Sequence, residues 1–180
     1  MSNDRFVFLD RDGTLVEEVG YGHRLEDYAL LPDVIEALHD LRDAGYRFVI
    51  VTNQSGIGRQ IFAREDYDRF QGRLLDDLAA ADISIEKTYM CPHTPADDCT
   101  CRKPHPTSLH DARDRLGANL SQSWMIGDHV SDVALAANAG CRGILLLTGH
   151  GEEEAPRLGD TPVDAVLADL RAAADHILGR

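Results

Sequence analysis

The sequence predicts a doubly wound, Rossmann-like α/β fold, in which helices flank both faces of a mostly parallel sheet. Three observations predict it. Short apolar runs recur along the chain, the segments between them space their apolar residues at helical intervals, and polar residues follow the ends of the runs. Continuous apolar runs suit strands buried on both faces, whereas one-sided strands alternate. Strand–helix alternation then implies right-handed crossovers and parallel strands.

The first run, residues 6–9, reads as a buried strand that ends on Asp10. Val34, Ile35, Leu38 and Leu41 share one face of a first helix, which Gly45 should stop. Residues 48–51 form the second strand, and Tyr67, Phe70, Leu74 and Leu78 a second helical stripe. Residues 88–90 form the third strand, followed by a helix carrying Leu109, Ala112 and Leu116. Residues 124–126 form the fourth strand, followed by a stripe of Val130, Val133, Ala134 and Ala137. Residues 144–147 and a short run at 163–167 complete the sheet, and Leu167, Leu170, Ala174 and Ile177 mark a closing helix. No internal repeat or linker divides the chain, so residues 1–180 are expected to form one domain.

Composition narrows the function classes. Hydrophobic residues make up 43% and charged residues 27%, as in soluble globular proteins. The formal net charge of −13 disfavours a nucleic-acid partner, because phosphate backbones attract Lys and Arg surfaces. It leaves room for a small phosphorylated substrate held by a local cationic cluster. No signal-peptide pattern occurs, and no apolar stretch approaches the ~20 residues of a membrane span. The expected setting is cytoplasmic, with reduced thiols and no membrane partner. No heptad or exposed apolar stripe calls for an oligomer, so a monomer is expected.

The polar strand ends carry the chemistry. Asp10 and Asp12 stand two residues apart, so an extended backbone sends both side chains the same way, and Gly13 then permits a bend. Solvated carboxylates in a surface turn are the bland alternative. Against it, Asp128 also follows an apolar strand. Asp10 and Asp128 would give a Mg²⁺ ion two oxygens, with a backbone carbonyl as a third. Asp10 would then act as a nucleophile on phosphorus, and Asp12 as general acid and base.

Three cysteines and a histidine, Cys91, His93, Cys99 and Cys101, fall within eleven residues. Four such ligands match a closed, structural tetrahedral Zn²⁺ site. The alternative is free thiols or a disulfide, which the short Cys99–Cys101 separation and a reducing compartment both disfavour. The loop leads directly into Arg102 and Lys103, so pinning it would aim both at the strand ends. Cys141 reads as a buried thiol.

Asp-x-Asp-Gly-Thr after an apolar strand resembles the first motif of the haloacid dehalogenase superfamily of phosphatases. Thr52, Lys103 and the acidic pair Asp128 and Asp132 match its remaining motifs in order, so the resemblance spans nearly the whole chain. It implies Asp10 as nucleophile, Asp12 as acid/base, and Thr52 and Lys103 as phosphoryl-binding groups. It also implies a Mg²⁺ ion at Asp10, Asp12 and Asp128, with Asp132 supporting Asp128 or Lys103.

Segments 9–15, 20–21, 51–58, 91–93, 99–104 and 126–128 further resemble the zinc-loop branch of heptose-bisphosphate and histidinol-phosphate phosphatases. That branch lacks a large cap domain, and the short stretches 15–32 and after Asn53 leave no room for one here. The resemblance implies that Glu18, Val19, Gly20 and Tyr21 border the substrate. Asn53, Gln54 and Ser55 would surround it, and Arg102 would reach its distal part, such as a second phosphate. The expected reaction is removal of the 7-phosphate of a heptose 1,7-bisphosphate. Histidinol-phosphate hydrolysis and a non-catalytic, zinc-stabilised binding module are the alternatives. His129 departs from the branch, which often has Lys there, and the zinc loop is short between His93 and Cys99.

Overall fold

Strand β1 (Arg5–Leu9) lies at the centre of the sheet because nearly all of it is apolar and can be covered on both sides. The computed structural model describes residues 4–180, so the start of the predicted domain, residues 1–3, lies outside the described residues. The other strands are β2 (Tyr46–Asn53), β3 (Ile85–Cys91), β4 (Trp124–Gly127), β5 (Arg142–Leu146) and β6 (Ala165–Leu167). They run in the order β3-β2-β1-β4-β5-β6, and every neighbouring pair is parallel. The chain winds outward from β1 to β3, then returns to build β4, β5 and β6 on the other side. This reversal leaves a crevice beyond the carboxyl ends of β1 and β4, where ligands bind in doubly wound sheets.

The alternation within β1 assigns the two layers. Val7 and Leu9 join a core with α1 (Val34–Asp43), α3 (Arg64–Ala80) and α7 (Leu170–Leu178), through Val34, Leu38, Phe70, Leu74 and Leu170. Phe6 and Phe8 face the opposite way. They pack with Leu109 and Ala112 of α4 (Thr107–Leu116) and with Leu135 and Ala136 of α5 (Val130–Ala139). Each fully buried Leu or Phe contributes roughly 1.5–3 kcal/mol, so these stripes hold the helices to the sheet. Two one-turn helices, α2 (Ser55–Gly58) and α6 (Gly151–Glu154), follow β2 and β5 at the same rim.

The structure corrects three local expectations. The stripe on α5 is rotated: Asp132, Val133, Leu135 and Ala136 are buried, while Val130 and Ala134 are half-buried and Ala137 is exposed. The helix is apolar on several sides, so spacing alone did not select a face; the inward pairing of Asp132 with Lys103 does. Leu167 belongs to β6 and not to the closing helix, which starts at Leu170 behind the Asp169 cap; the Asp169 carboxylate accepts from the Ala172 N–H. β3 is longer than the predicted 88–90 and only half-buried, as befits an edge strand.

Candidate active site

The carboxyl ends of β1, β2 and β4 and the loop after β3 open onto one cavity of about 430 Å³. Asp10, Asp12, Asn53, Gln54, Ser55, Arg102, Lys103 and Asp128 line it. Glu18, Gly20 and Tyr21 reach it from the loop after β1. Two expected residues stand back from the wall. Val19 is 49% exposed, and Thr52 is buried behind Gln54, whose amide donates to its hydroxyl at 2.8 Å.

Lys103 is the electrostatic centre of the site. Its buried ammonium lies 2.9 Å from Asp10 Oδ1 and 2.7 Å from Asp132 Oδ1, and donates to the Val51 carbonyl at 3.0 Å. Two ion pairs and one hydrogen bond thus hold the ammonium in place. Burial works against its charge, but Asp10 and Asp132 outweigh it and raise the Lys103 pKa. The Asn53 side chain accepts from the Lys103 backbone N–H at 3.1 Å and so holds the residue in place. Asp10 Oδ1 also accepts from the Arg11 N–H at 2.7 Å. Both contacts fall on Oδ1, which leaves Oδ2 unpartnered among the described residues.

Lys103 does not neutralise the site. Burial, followed by the charges of Asp132 and Asp128, pushes the Asp10 carboxyl well above its usual range, although Lys103 opposes the shift. Burial and Asp132 push Asp128 up to about 7. Oxygens of Asp10, Asp128 and Asp132 lie within 4.8 Å of one another. One buried cation cannot balance three carboxylates at this spacing, and a divalent ion would. Asp132 is committed to Lys103 and to the His129 N–H at 3.1 Å, so Asp10 and Asp128 remain as the two carboxylates that could hold such an ion. All donors are hard oxygens, the chemistry that suits Mg²⁺. Two glycines permit the close approach to Asp128. Gly13 and Gly149 have φ of 73° and 53°, and a Cβ on either would run into the Asp128 carboxylate. The His150 N–H fixes Asp128 Oδ2 at 2.8 Å.

The Asp12 carboxylate sits in a cradle of donors. Arg11 Nε and Nη2 lie 2.8–3.1 Å from its oxygens, and Gln54 Nε2 donates to Oδ2 at 2.8 Å. The same Gln54 amide bridges to Thr52, linking the acid/base candidate to the phosphoryl-binding candidate.

The cysteine loop closes on itself. The Cys91, Cys99 and Cys101 sulfurs are 3.1–3.6 Å apart, and His93 Nδ1 lies 3.2 Å from Cys101 Sγ and 3.7 Å from Cys91 Sγ. Ligands at the corners of a tetrahedral Zn²⁺ site are separated by about 3.5–3.8 Å. The four atoms already approach that shape, so the residues fit the metal. Arg102 Nη1 donates to the His93 carbonyl at 3.1 Å, coupling the loop to the cavity wall. Cys141 stands apart, half-buried, and donates to the Ser123 carbonyl at 3.1 Å.

Sequence reasoning missed three contributors, His150, Ser131 and Glu154, and noted His129 only as a departure from the branch. His150 lines the cavity from the loop after β5, a fifth strand end whose Gly-His-Gly run was the available signal. His129 and Ser131 line it from the start of α5. Buried Glu154 accepts from the Val130 N–H at 3.1 Å and lies 3.0 Å from His129 Nδ1; no local pattern announced it. Among the described residues, no helix is long and apolar enough to cross a membrane.

Comparison with known proteins places this geometry in context. Residues 7–103 match the family described as haloacid dehalogenase-like hydrolase, and residues 100–173 match a HAD-hydrolase-like family. The chain is 38% identical over 177 residues to the D-glycero-beta-D-manno-heptose-1,7-bisphosphate 7-phosphatase of Salmonella typhi, covering 93% of each chain. It is 39% identical over 184 residues to the D-glycero-D-manno-heptose-1,7-bisphosphate 7-phosphatase of Thermosynechococcus vestitus, covering 95% of this chain and 94% of that one. A D,D-heptose 1,7-bisphosphate phosphatase from B. bronchiseptica, solved with magnesium and phosphate, superposes with a TM-score of 0.89 at 30% identity. That match covers 97% of this chain and 98% of the other.

Proposed function

The chain belongs to the haloacid dehalogenase-like hydrolase family and is a phosphatase, and from that premise we propose that it removes the 7-phosphate of D-glycero-D-manno-heptose 1,7-bisphosphate. The observation that carries the substrate reading is that Arg102 and Lys103 line the same cavity as Asp10. One cation is buried beside the nucleophile, and the other stands toward solvent. A guanidinium fork suits a second phosphate on the same substrate.

In this reading Asp10 Oδ2 attacks phosphorus while the bond to the sugar oxygen breaks. Asp12 gives its proton to that oxygen as it leaves. The product of the first step is an aspartyl phosphate on Asp10. Asp12, now a carboxylate, takes a proton from water, whose oxygen attacks phosphorus and frees Asp10. Lys103 holds the phosphoryl oxygens through both steps, and Thr52, set back from the wall, accepts from the Gln54 amide and so orients it beside Asp12. Asp10, Asp128 and the Asp12 backbone carbonyl would hold Mg²⁺, which lowers the repulsion between carboxylate and phosphate. Cys91, His93, Cys99 and Cys101 would hold a structural Zn²⁺ that keeps the 91–103 loop, and so Arg102, in place.

A Mg²⁺-supplemented substrate panel tests the assignment. The kcat/KM for the heptose bisphosphate should exceed that for histidinol phosphate at least ~10-fold, about 1.4 kcal/mol of transition-state binding. The reverse order would overturn the substrate while leaving the chemistry intact.

A further inference from the structure

Arg11 lies between the two motif acids, yet its side chain is wholly buried. Its parity explains this. Val7 and Leu9 face the α3 side of β1, and Arg11 continues that alternation beyond the strand end. Its guanidinium therefore lies over the Phe70 ring at 4.6 Å and near the Tyr67 ring at 5.4 Å, both on α3. From there it turns back under Asp12. Nε and Nη2 fork onto the carboxylate at 2.8–3.1 Å, and Nη2 also donates to the Gly22 carbonyl at 3.0 Å.

Burying a guanidinium is costly, and a merely structural site of this kind is readily replaced by apolar residues. This one is aimed at a single carboxylate, locks it through two nitrogens, and ties the loop side of the cavity wall to it through Gly22. The aromatic shelf restricts where the fork can sit. We propose that Arg11 is the positioning residue for Asp12: it fixes the rotation of the carboxyl group so that the proton is delivered along the line of the departing oxygen. The inference rests on the acid/base reading of Asp12.

The test compares two leaving groups on the same protein with Mg²⁺ present. A sugar alkoxide must be protonated as it departs, whereas the phenolate of 2,4-dinitrophenyl phosphate leaves without a proton. Arg11→Lys keeps the charge and loses the fork. Its single-turnover rate of leaving-group release from the heptose bisphosphate should fall about 10- to 100-fold, with KM changed by less than about threefold. Its single-turnover fall on the aryl ester, a measure that the water step common to both esters does not enter, should be at least ~10-fold smaller. Because the ratio of the two activities is read on one sample, it does not depend on the fraction of protein that is folded. If the lysine variant does not accumulate, Arg11→Gln is read by the same ratio. Equal losses on both esters would make Arg11 structural and overturn the proposal. Asp12→Asn serves as the reference: if that variant itself fails to separate the two esters, the acid/base reading of Asp12 is what fails.

Discussion

Asp128 shows how residue-scale electrostatics write the need for a cation into the site. Its folded pKa of about 7 stands above the ordinary 3.8, through burial and the neighbouring Asp132. Between those values the unfolded chain gives up the proton while the metal-free fold keeps it. The folded state then binds more protons, so stability falls as pH rises. The contribution is complete below about pH 4 and is lost as pH passes about 7. Asp10 shifts in the same direction. Mg²⁺ would bind the ionised pair and offset this loss. The rise in melting temperature on adding Mg²⁺ should therefore grow from about pH 5 to about pH 8. A shift that stays flat over this range, followed by calorimetry, would mean that these carboxylates are not the ligands. The same residues mark a limit of sequence reading. Asp10, Asp12 and Asp128 were visible because each follows an apolar run. Arg11 was not legible as a site residue, because an arginine after a strand usually reaches solvent, although the Val7–Leu9 alternation pointed it inward. Glu154 left no signal, because its partners Val130 and His129 are far from it in sequence.

At the scale of elements, the loop after β3 does most to shape the cavity. β3 delivers Cys91 at its last residue, and Arg102 and Lys103 leave the far side of the cysteine cluster for the cavity wall. A bound metal would remove much of the freedom of this segment, since closing a loop in the unfolded chain is costly in entropy. Metal analysis should find about one zinc per chain. Cys99→Ser should lose it, lower the melting temperature and raise KM more than it lowers kcat, because Arg102 is freed while Asp10 stays anchored at the end of β1. Full zinc content or an unchanged KM in this variant would refute the role given to the loop. The cluster was legible because metal ligands declare themselves by type and spacing. The facing of α5 was not, since an apolar helix offers several equivalent stripes and only Lys103, distant in sequence, turns Asp132 inward. β3 was read too short because an edge strand mixes Glu86, Lys87 and Thr88 into its run.

Across the whole molecule, the order β3-β2-β1-β4-β5-β6 brings together residues from positions 10 to 150. The strand–helix alternation was readable because core burial imposes local periodicity. The strand order depends on long-range pairing, yet right-handed crossovers and the polar strand ends already pointed to a shared rim. The short helices α2 and α6 were not anticipated, since one turn carries too few residues to show a period. What the fold accomplishes is a buried carboxylate beside a buried lysine at the switch point, the carboxylate to which we assign the attack on phosphorus. The most direct test is Mg²⁺-dependent release of phosphate from the heptose bisphosphate by the wild type and by Asp10→Asn, a nearly isosteric change. The substitution should lower kcat by at least ~10³-fold, as expected for loss of a covalent nucleophile, with the protein still folded. Equal phosphate release by the two proteins would contradict the assignment of Asp10 as the group that attacks.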